Sequence, residues 1–339
     1  MIDAQTPAPP APTVTPAAAR TRVYRPNQRH IPVLATLVLL VLMYSIGVFN
    51  YEGFSDTQIL LNVFVDNAFL LVVAVGMTFV ILTGGIDLSV GAVVALTTVV
   101  TATLLAHGWP PAVVLPLVLL IGATLGLLMG VIIHFFEIQP FIATLAGMFL
   151  ARGLCHLISD KSIAISDGFW TTMAQQRIRF GGFFISLSVV IALVVVLIAA
   201  YVLAYTRLGR NVYAVGGNAQ SALLMGLPVG RTRIGVYVIS GFCSALGGVL
   251  LSFYMLSGDP LHAQGLELDA IAAVVIGGTL LSGGSGFLFG TVLGVLVLGL
   301  IQTIITFQGT LSSWWTKIFI GALLLVFIIL QKVLTRRRT

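Results

Sequence analysis

The residues with chemistry to offer are few, and most sit where glycines interrupt apolar sequence. The densest polar motif is Thr83-Gly84-Gly85-Ile86-Asp87-Leu88-Ser89-Val90-Gly91. Paired glycines permit backbone geometries that other residues avoid. An acidic side chain in such a break is either part of a polar path or a cap on the helix that follows. Both readings stay open for Asp87, and Ser89 goes with it. A second stretch, Gly277-Gly278-Thr279-Leu280-Leu281-Ser282-Gly283-Gly284, shares the pattern GG-x-x-LS-x-G at an offset of 193 residues. An internal repeat and a chance recurrence of two frequent residues both explain it. Asp66-Asn67 and Arg152 supply the donors and acceptors that a hydroxyl-rich solute needs on leaving water. Alternatively, Asp66 caps a helix at an interface and Arg152 reaches its guanidinium out to one.

Catalytic chemistry has no foothold. The sequence holds no G-x-x-x-x-G-K-[ST] phosphate loop and no serine in a nucleophile elbow. His30, His107, His134, His156 and His262 are scattered, with no metal-ligand spacing among them or with cysteine. No catalytic residue and no metal ligand is therefore assigned, and the chain is expected not to hydrolyse ATP. Cys155 and Cys243 both lie in apolar runs, where cysteine behaves as a small packing residue.

The elements that must hold these residues are apolar. Of 339 residues, 58% are hydrophobic and 8% charged, where a soluble domain carries about 25% charged. Mean hydropathy is +1.08. A soluble domain and a disordered chain are both excluded. The apolar total suffices for roughly ten spans of about 20 residues. Ten runs are legible, at 32–49, 59–82, 89–106, 112–133, 141–158, 185–205, 234–256, 269–282, 287–306 and 316–334. The expected fold is all-α and polytopic, with broken helices where short runs meet glycines. Glycines 122, 126 and 130, and again 286, 290 and 294, form small-residue ladders that let helix backbones approach closely. Trp314 and Trp315 suit an interfacial belt.

Charge placement gives the topology. Arg20, Arg22, Arg25 and Arg29 precede the first run, Arg207, Arg210, Arg231 and Arg233 flank the connection after the sixth, and Lys332, Arg336, Arg337 and Arg338 close the chain. These segments are net +11 and the remainder net −5, so the overall +6 reports orientation and not an affinity for nucleic acid. With ten spans all three lie on the cytoplasmic side, together with both termini. The expected organisation is a disordered Pro/Ala-rich segment over 1–30, a membrane domain over 31–335 and a basic tail over 336–339. Residues 159–184 lie outside, with room for a short interfacial helix. Within the cytoplasmic connection 206–233, residues 218–225 read as a helix capped by Asn218 and ended by Gly226 and Pro228.

Four strings carry a resemblance: GMTFVILTGGIDLSVG (76–91), TLAGMFLARG (144–153), GGNAQSALLMG (216–226) and ELDAIAAVVIGGTLLSGG (267–284). In these, and over about 32–334, the sequence resembles the inner-membrane permease subunits of bacterial ABC importers for monosaccharides, the ribose/xylose/arabinose group. GTLSSWWTKI (309–318) and DNAF (66–69) resemble the galactofuranose branch most nearly. The resemblance implies a type II importer fold and a second permease subunit, identical or paralogous. It also implies an ABC ATP-binding subunit that holds the ATP and Mg, and a periplasmic sugar-binding protein. It places the contact with the ATPase at Gly217, Asn218, Ala222, Met225 and Gly226. The family's membrane motif falls on Gly84, Gly85, Asp87, Ser89 and Gly91. The rival from the residues alone is an ion-coupled secondary transporter or facilitator, for which Asp66 and Asp87 are the acidic candidates well inside spans or their junctions. A membrane enzyme would need a catalytic constellation that the sequence lacks.

Overall fold

The computed structural model describes residues 31–312 and 314–336. The 1–30 segment and positions 337–339 of the basic tail lie outside the described residues. Each of the ten apolar runs forms a helix or a helix pair. The first is α1 (Ile31–Asn50). The second is broken into α2 (Thr57–Asp66) and α3 (Ala68–Leu82), bent by 58° at Asn67. Next come α4 (Val90–Ala106), α5 (Pro111–Phe135) and α6 (Pro140–Ile158). Prolines open α5 and α6 at positions where the missing N–H costs nothing.

The connection after α6 carries β1 (Ile163–Ala164), α7 (Gly168–Gln175), β2 (Arg177–Phe180) and β3 (Phe183–Ser186). The expected short helix is α7. Asp167 caps it through Trp170 N–H, and the buried Trp170 ring donates to Ser252 Oγ at 2.9 Å. The hairpin of β2 and β3 was not expected; Gly181-Gly182 forms its turn. There follow α8 (Leu187–Tyr205), α9 (Arg207–Gly217), α10 (Ala219–Leu224), α11 (Val229–Met255), β4 (Ser257–Gly258, antiparallel to β1), α12 (Leu266–Ile276), α13 (Leu288–Gln308) and α14 (Trp314–Arg336).

Among the described residues seven helices (α1, α5, α6, α8, α11, α13 and α14) are long and apolar enough to cross a bilayer, and eight if the bent pair of α2 and α3 is counted as one span. The 17 residues of α4 are apolar but fall short of that length. α12 has 11 residues, a rise of about 16 Å, or half the hydrocarbon core. The eighth apolar run is thus a half-helix followed by irregular backbone over 277–287.

α3, α4, α11, α12 and α13 are buried along most of their length. α1, α5, α6, α8 and α14 leave apolar side chains such as Val38, Leu120, Phe149, Leu197 and Leu325 on the perimeter. The first glycine ladder lets α5 meet α11. A Cβ on Gly122 would lie 2.5 Å from the Gly241 carbonyl oxygen, one on Gly130 would lie 2.8 Å from Ile234 Cα, and one on Gly126 would overlap the Tyr237 carbonyl oxygen. The second ladder is only partly helical. Gly290 and Gly294 face Gly277 and Ala273 of the α12 segment, but Gly286 precedes α13 and abuts Thr279.

Candidate functional site

Two helices stop inside the bundle by the same device. At the end of α3, Gly84 (φ +80) donates to Ile81 O and Gly85 N–H to Val80 O. At the end of α12, Gly278 (φ +92) donates to Val275 O and Thr279 N–H to Val274 O. Both are Schellman stops, which need a residue at ease with positive φ. They match at an offset of 194, one residue away from the sequence pattern at 193, so the recurring pattern is a recurring helix stop and its letters are out of register. The carbonyls this leaves are satisfied from neighbours, as non-helical backbone within a membrane requires. Gln331 Nε2 donates to Val275 O at 2.9 Å, Thr36 Oγ1 to Ile276 O, and Gly284 N–H to Leu82 O at 2.9 Å.

Asp87 lies beyond the first stop and is 1% exposed. Its Oδ1 accepts from Ser89 N–H (3.0 Å) and Ser89 Oγ (2.6 Å), and its Oδ2 accepts from Ser240 Oγ of α11 (2.7 Å). Asp87 therefore holds the start of α4 and ties it to α11. Ser240 is eleven residues into α11, about 16 Å from its start at 1.5 Å per residue. Tyr237 of α11 donates to Ile86 O at 3.5 Å, and Thr144 of α6 to the same oxygen at 3.3 Å. Gly85 is glycine because a Cβ there would sit 2.5 Å from the Tyr237 hydroxyl. Gly91 leaves room for the Glu267 carboxylate of α12, whose Oε2 is buried without a partner among the described residues. Glu267 lies in the first turn of α12, against α4.

Asp66 and Asn67 lie elsewhere, in a cavity of about 430 Å³ among the C-terminal ends of α2, α11 and α13. The Tyr254 hydroxyl donates to Asp66 Oδ1 at 3.2 Å. Asn62, Gln302, Thr303 and Thr306 complete a polar lining. Asn67 is buried and donates to Val63 O at 2.9 Å, and a Cβ on Gly299 would press on its amide. This chamber is at the end of the bundle opposite α10, which packs beside the start of α11. Arg152 is in neither place. From α6 its Nη1 donates to Pro260 O and to His262 O (2.9 Å), pinning the connection between β4 and α12. The sequence-derived pathway residues thus fall at three separate positions.

The connection between α8 and α11 has more structure than expected. Asn218 Oδ1 accepts from Ser221 N–H at 2.8 Å, so the cap starts α10, which ends at Leu224 ahead of Gly226. α9 precedes it, and α11 begins at Val229, five residues before the apolar run. An apolar-run criterion passes over α9 because only one stripe, Gly209, Val212 and Val215, is buried. Ala222 is fully buried beside Val215 and Val229, whereas Leu223, Leu224 and Met225 are 63%, 84% and 70% exposed. Gly217 ends α9 and adjoins Gly284. Three apolar side chains standing free at the tip of a polar connection form a surface suited to a partner's groove.

Residues that the sequence reading passed over are Tyr254 and Gln302 in the chamber, Ser240 opposite Asp87, and the pair Lys317–Asp269, where Lys317 Nζ lies 2.7 Å from Asp269 Oδ2. The scattered polar groups inside the apolar runs 234–256 and 287–306 were the available signal. Among the described residues no three His, Cys, Asp or Glu side chains converge as a metal site would require.

A family described as branched-chain amino acid transport system / permease component matches residues 59–328. The chain is 47% identical over 310 residues to an inner membrane ABC transporter permease protein, YjfF, of Escherichia coli, covering 91% of this chain and 94% of that one. It is 40% identical over 327 residues to a fructose import permease protein, FruG, of Bifidobacterium longum, covering 94% and 96%. To a ribose import permease protein, RbsC, of Haemophilus influenzae it is 37% identical over 305 residues, covering 89% and 93%. No solved structure matches the chain.

Proposed function

The chain belongs to the ABC transporter permease family, and from that membership we propose that it passes a monosaccharide inward across a bacterial inner membrane. As a permease subunit it is not itself an enzyme, since ATP hydrolysis belongs to separate ATPase subunits. The polar chamber around Asp66 carries the reading. A sugar leaving water exchanges its hydrogen bonds for protein ones, and Asp66, Asn62, Gln302, Thr303 and Thr306 beside the Tyr254 ring offer that exchange within an otherwise apolar bundle.

In this reading α4 and α12 complete ten crossings in a type II importer arrangement, with both termini and the 206–233 connection cytoplasmic. A periplasmic sugar-binding protein delivers sugar at the chamber end. An ABC ATP-binding subunit, carrying ATP and Mg, docks on α10 through Leu223, Leu224 and Met225, with Gly217, Asn218, Ala222 and Gly226 setting the geometry. A second permease subunit completes the path, identical or paralogous. Galactofuranose, or a related pentose or furanose, is the proposed cargo, supported by the strings at 66–69 and 309–318. Gly84, Gly85, Asp87, Ser89 and Arg152 serve as the structural frame of the path.

The test is co-purification of this chain with the ATP-binding and sugar-binding proteins encoded beside it. Sugar-binding assays on the latter, with galactofuranose, ribose and arabinose, then follow. Co-purification and saturable binding of one of these sugars support the proposal. Uptake that persists without an ATPase and follows an ion gradient would overturn it.

A further inference from the structure

The end of α9 is held against both helix stops at once. The Tyr213 hydroxyl donates to Gly286 O at 3.0 Å, in the backbone that follows α12. A Cβ on Gly216 would lie 2.5 Å from Gly284 N and would overlap the Leu82 carbonyl oxygen at the end of α3. Cβ atoms on Gly283 and Gly284 would lie 2.7 Å from Gly84 N and 2.7 Å from Gly217 Cα respectively. The Gly284 N–H donation to Leu82 O closes the triangle. Three backbones meet here with no side chain between them: the α3 stop, the loop after α12 and the end of α9. Such a contact has no rotamer to absorb a displacement, so motion of one backbone is handed to the others. Asn218, the next residue, caps α10, whose tip is exposed.

We propose that residues 213–217 are the part through which a displacement of α10 moves the broken helices α3 and α12 together, with Tyr213 and Gly216 as positioning residues for transport. This rests on α10 being the ATPase contact. The helix stops are the parts free to respond, because their backbones are held by a handful of hydrogen bonds and by glycine contacts. Packed helix interiors move only in larger, discrete steps.

The test uses the reconstituted importer with its ATP-binding and sugar-binding subunits. Thr83→Cys reports on the α3 stop and Ser285→Cys on the loop after α12, each labelled from the α10 side by a charged maleimide. The native Cys155 and Cys243 are buried and are replaced by Ala in this background, so that only the introduced thiol reports. Trapping with ATP and vanadate is expected to change labelling at both positions by about fivefold or more. Gly216→Ala and Tyr213→Phe are each expected to shrink the change at one or both positions below about twofold, under the roughly fivefold low end of typical coupling, with ATPase turnover and co-purification retained. Gly235→Ala, where a Cβ meets nothing within 4 Å, is expected to behave as the parent. A purely structural defect would lower turnover and response together, so the split between them is the diagnostic. Parent-like responses at both positions in both variants would overturn the proposal, as would a parent complex that responds at one loop only. If Gly216→Ala does not accumulate, Tyr213→Phe decides, because it keeps the ring and removes only the hydroxyl. Leu224→Asp tests the premise separately: an assembled complex with an unchanged vanadate response would sink the α10 reading itself.

Discussion

Ser240→Ala should open the middle of the bundle by a measurable amount. Ser240 is fully buried and Asp87 is 1% exposed, so no water stands ready to replace the lost 2.7 Å hydrogen bond. A hydrogen bond to a charged group contributes about 1.5–3 kcal/mol, and leaving a buried acceptor unpaired costs a similar amount. Taking about 2 kcal/mol, and 1.4 kcal/mol per factor of ten, the local opening equilibrium rises about 30-fold. Asp87→Asn keeps the side-chain shape: its oxygen can accept from Ser89 while its amide donates to the Ser240 hydroxyl. In that background Ser240→Ala removes only a neutral bond, at about 1 kcal/mol or roughly fivefold. The double-mutant cycle should therefore show a coupling of about 1 kcal/mol. The assay is native-state thiol labelling of Cys243, buried three residues further along α11, with Cys155 replaced by Ala. Labelling that stays within about twofold of the parent in Ser240→Ala would refute the account of Asp87 as a carboxylate held by this bond. Sugar uptake on the same variants separates the two roles the sequence left open. Full uptake by Asp87→Asn would mean that the charge is dispensable and that holding α4 is its task.

Gly126→Val should prevent α5 from seating on α11, since even a Cβ overlaps the Tyr237 carbonyl oxygen; a loss of about 3 kcal/mol should appear as loss of monodisperse protein in detergent, while Gly153→Ala, with open space around its Cβ, stays monodisperse. Asp66→Asn and Gln302→Ala should each lower sugar uptake by about tenfold, one lost polar contact to the cargo, and leave binding of the ATPase subunit unchanged; uptake at parental level in both would remove the chamber from the path. Lys317→Met should destabilise by about 1–2 kcal/mol, discounted because Lys317 is half exposed while Asp269 is buried. Thermal unfolding should show the loss, and adding Asp269→Asn should return most of it.

The legible part of this protein was its apolar periodicity and its charge asymmetry. Each of the ten apolar runs holds helix, although the eighth is helical only to Ile276, and Asn218, Gly226 and the residues between them formed the short capped helix their types dictate. The hairpin at 177–186 was not legible, although Gly181-Gly182 marks its turn, because its two strands are only four residues each, too short for a clear period-two pattern. α9 was passed over because it is apolar on one stripe only. The candidate site was legible as a set of residue types but not as a constellation: Asp66, Asp87 and Arg152 share no cavity. Tyr254, Gln302 and Ser240 were not legible as partners, since each is one of several scattered polar residues in a long apolar run and nothing local singles it out.

By itself, then, the sequence determined what local chemistry controls: where the chain is apolar enough for lipid, where glycine lets a helix stop, and which connections carry positive charge. Tertiary structure alone decided which stops meet. The contact of Gly84, Gly283, Gly284 and Gly216 joins positions about 70 to 200 residues apart, and nothing in their separation along the chain encodes it. Hydrogen bonding enforces the meeting, because backbone that leaves a helix inside a bilayer must find partners on other segments. Leu82 found its partner in Gly284, Val275 in Gln331 and Ile276 in Thr36. That requirement gathers the broken helices, and the connection that grips them, into one place.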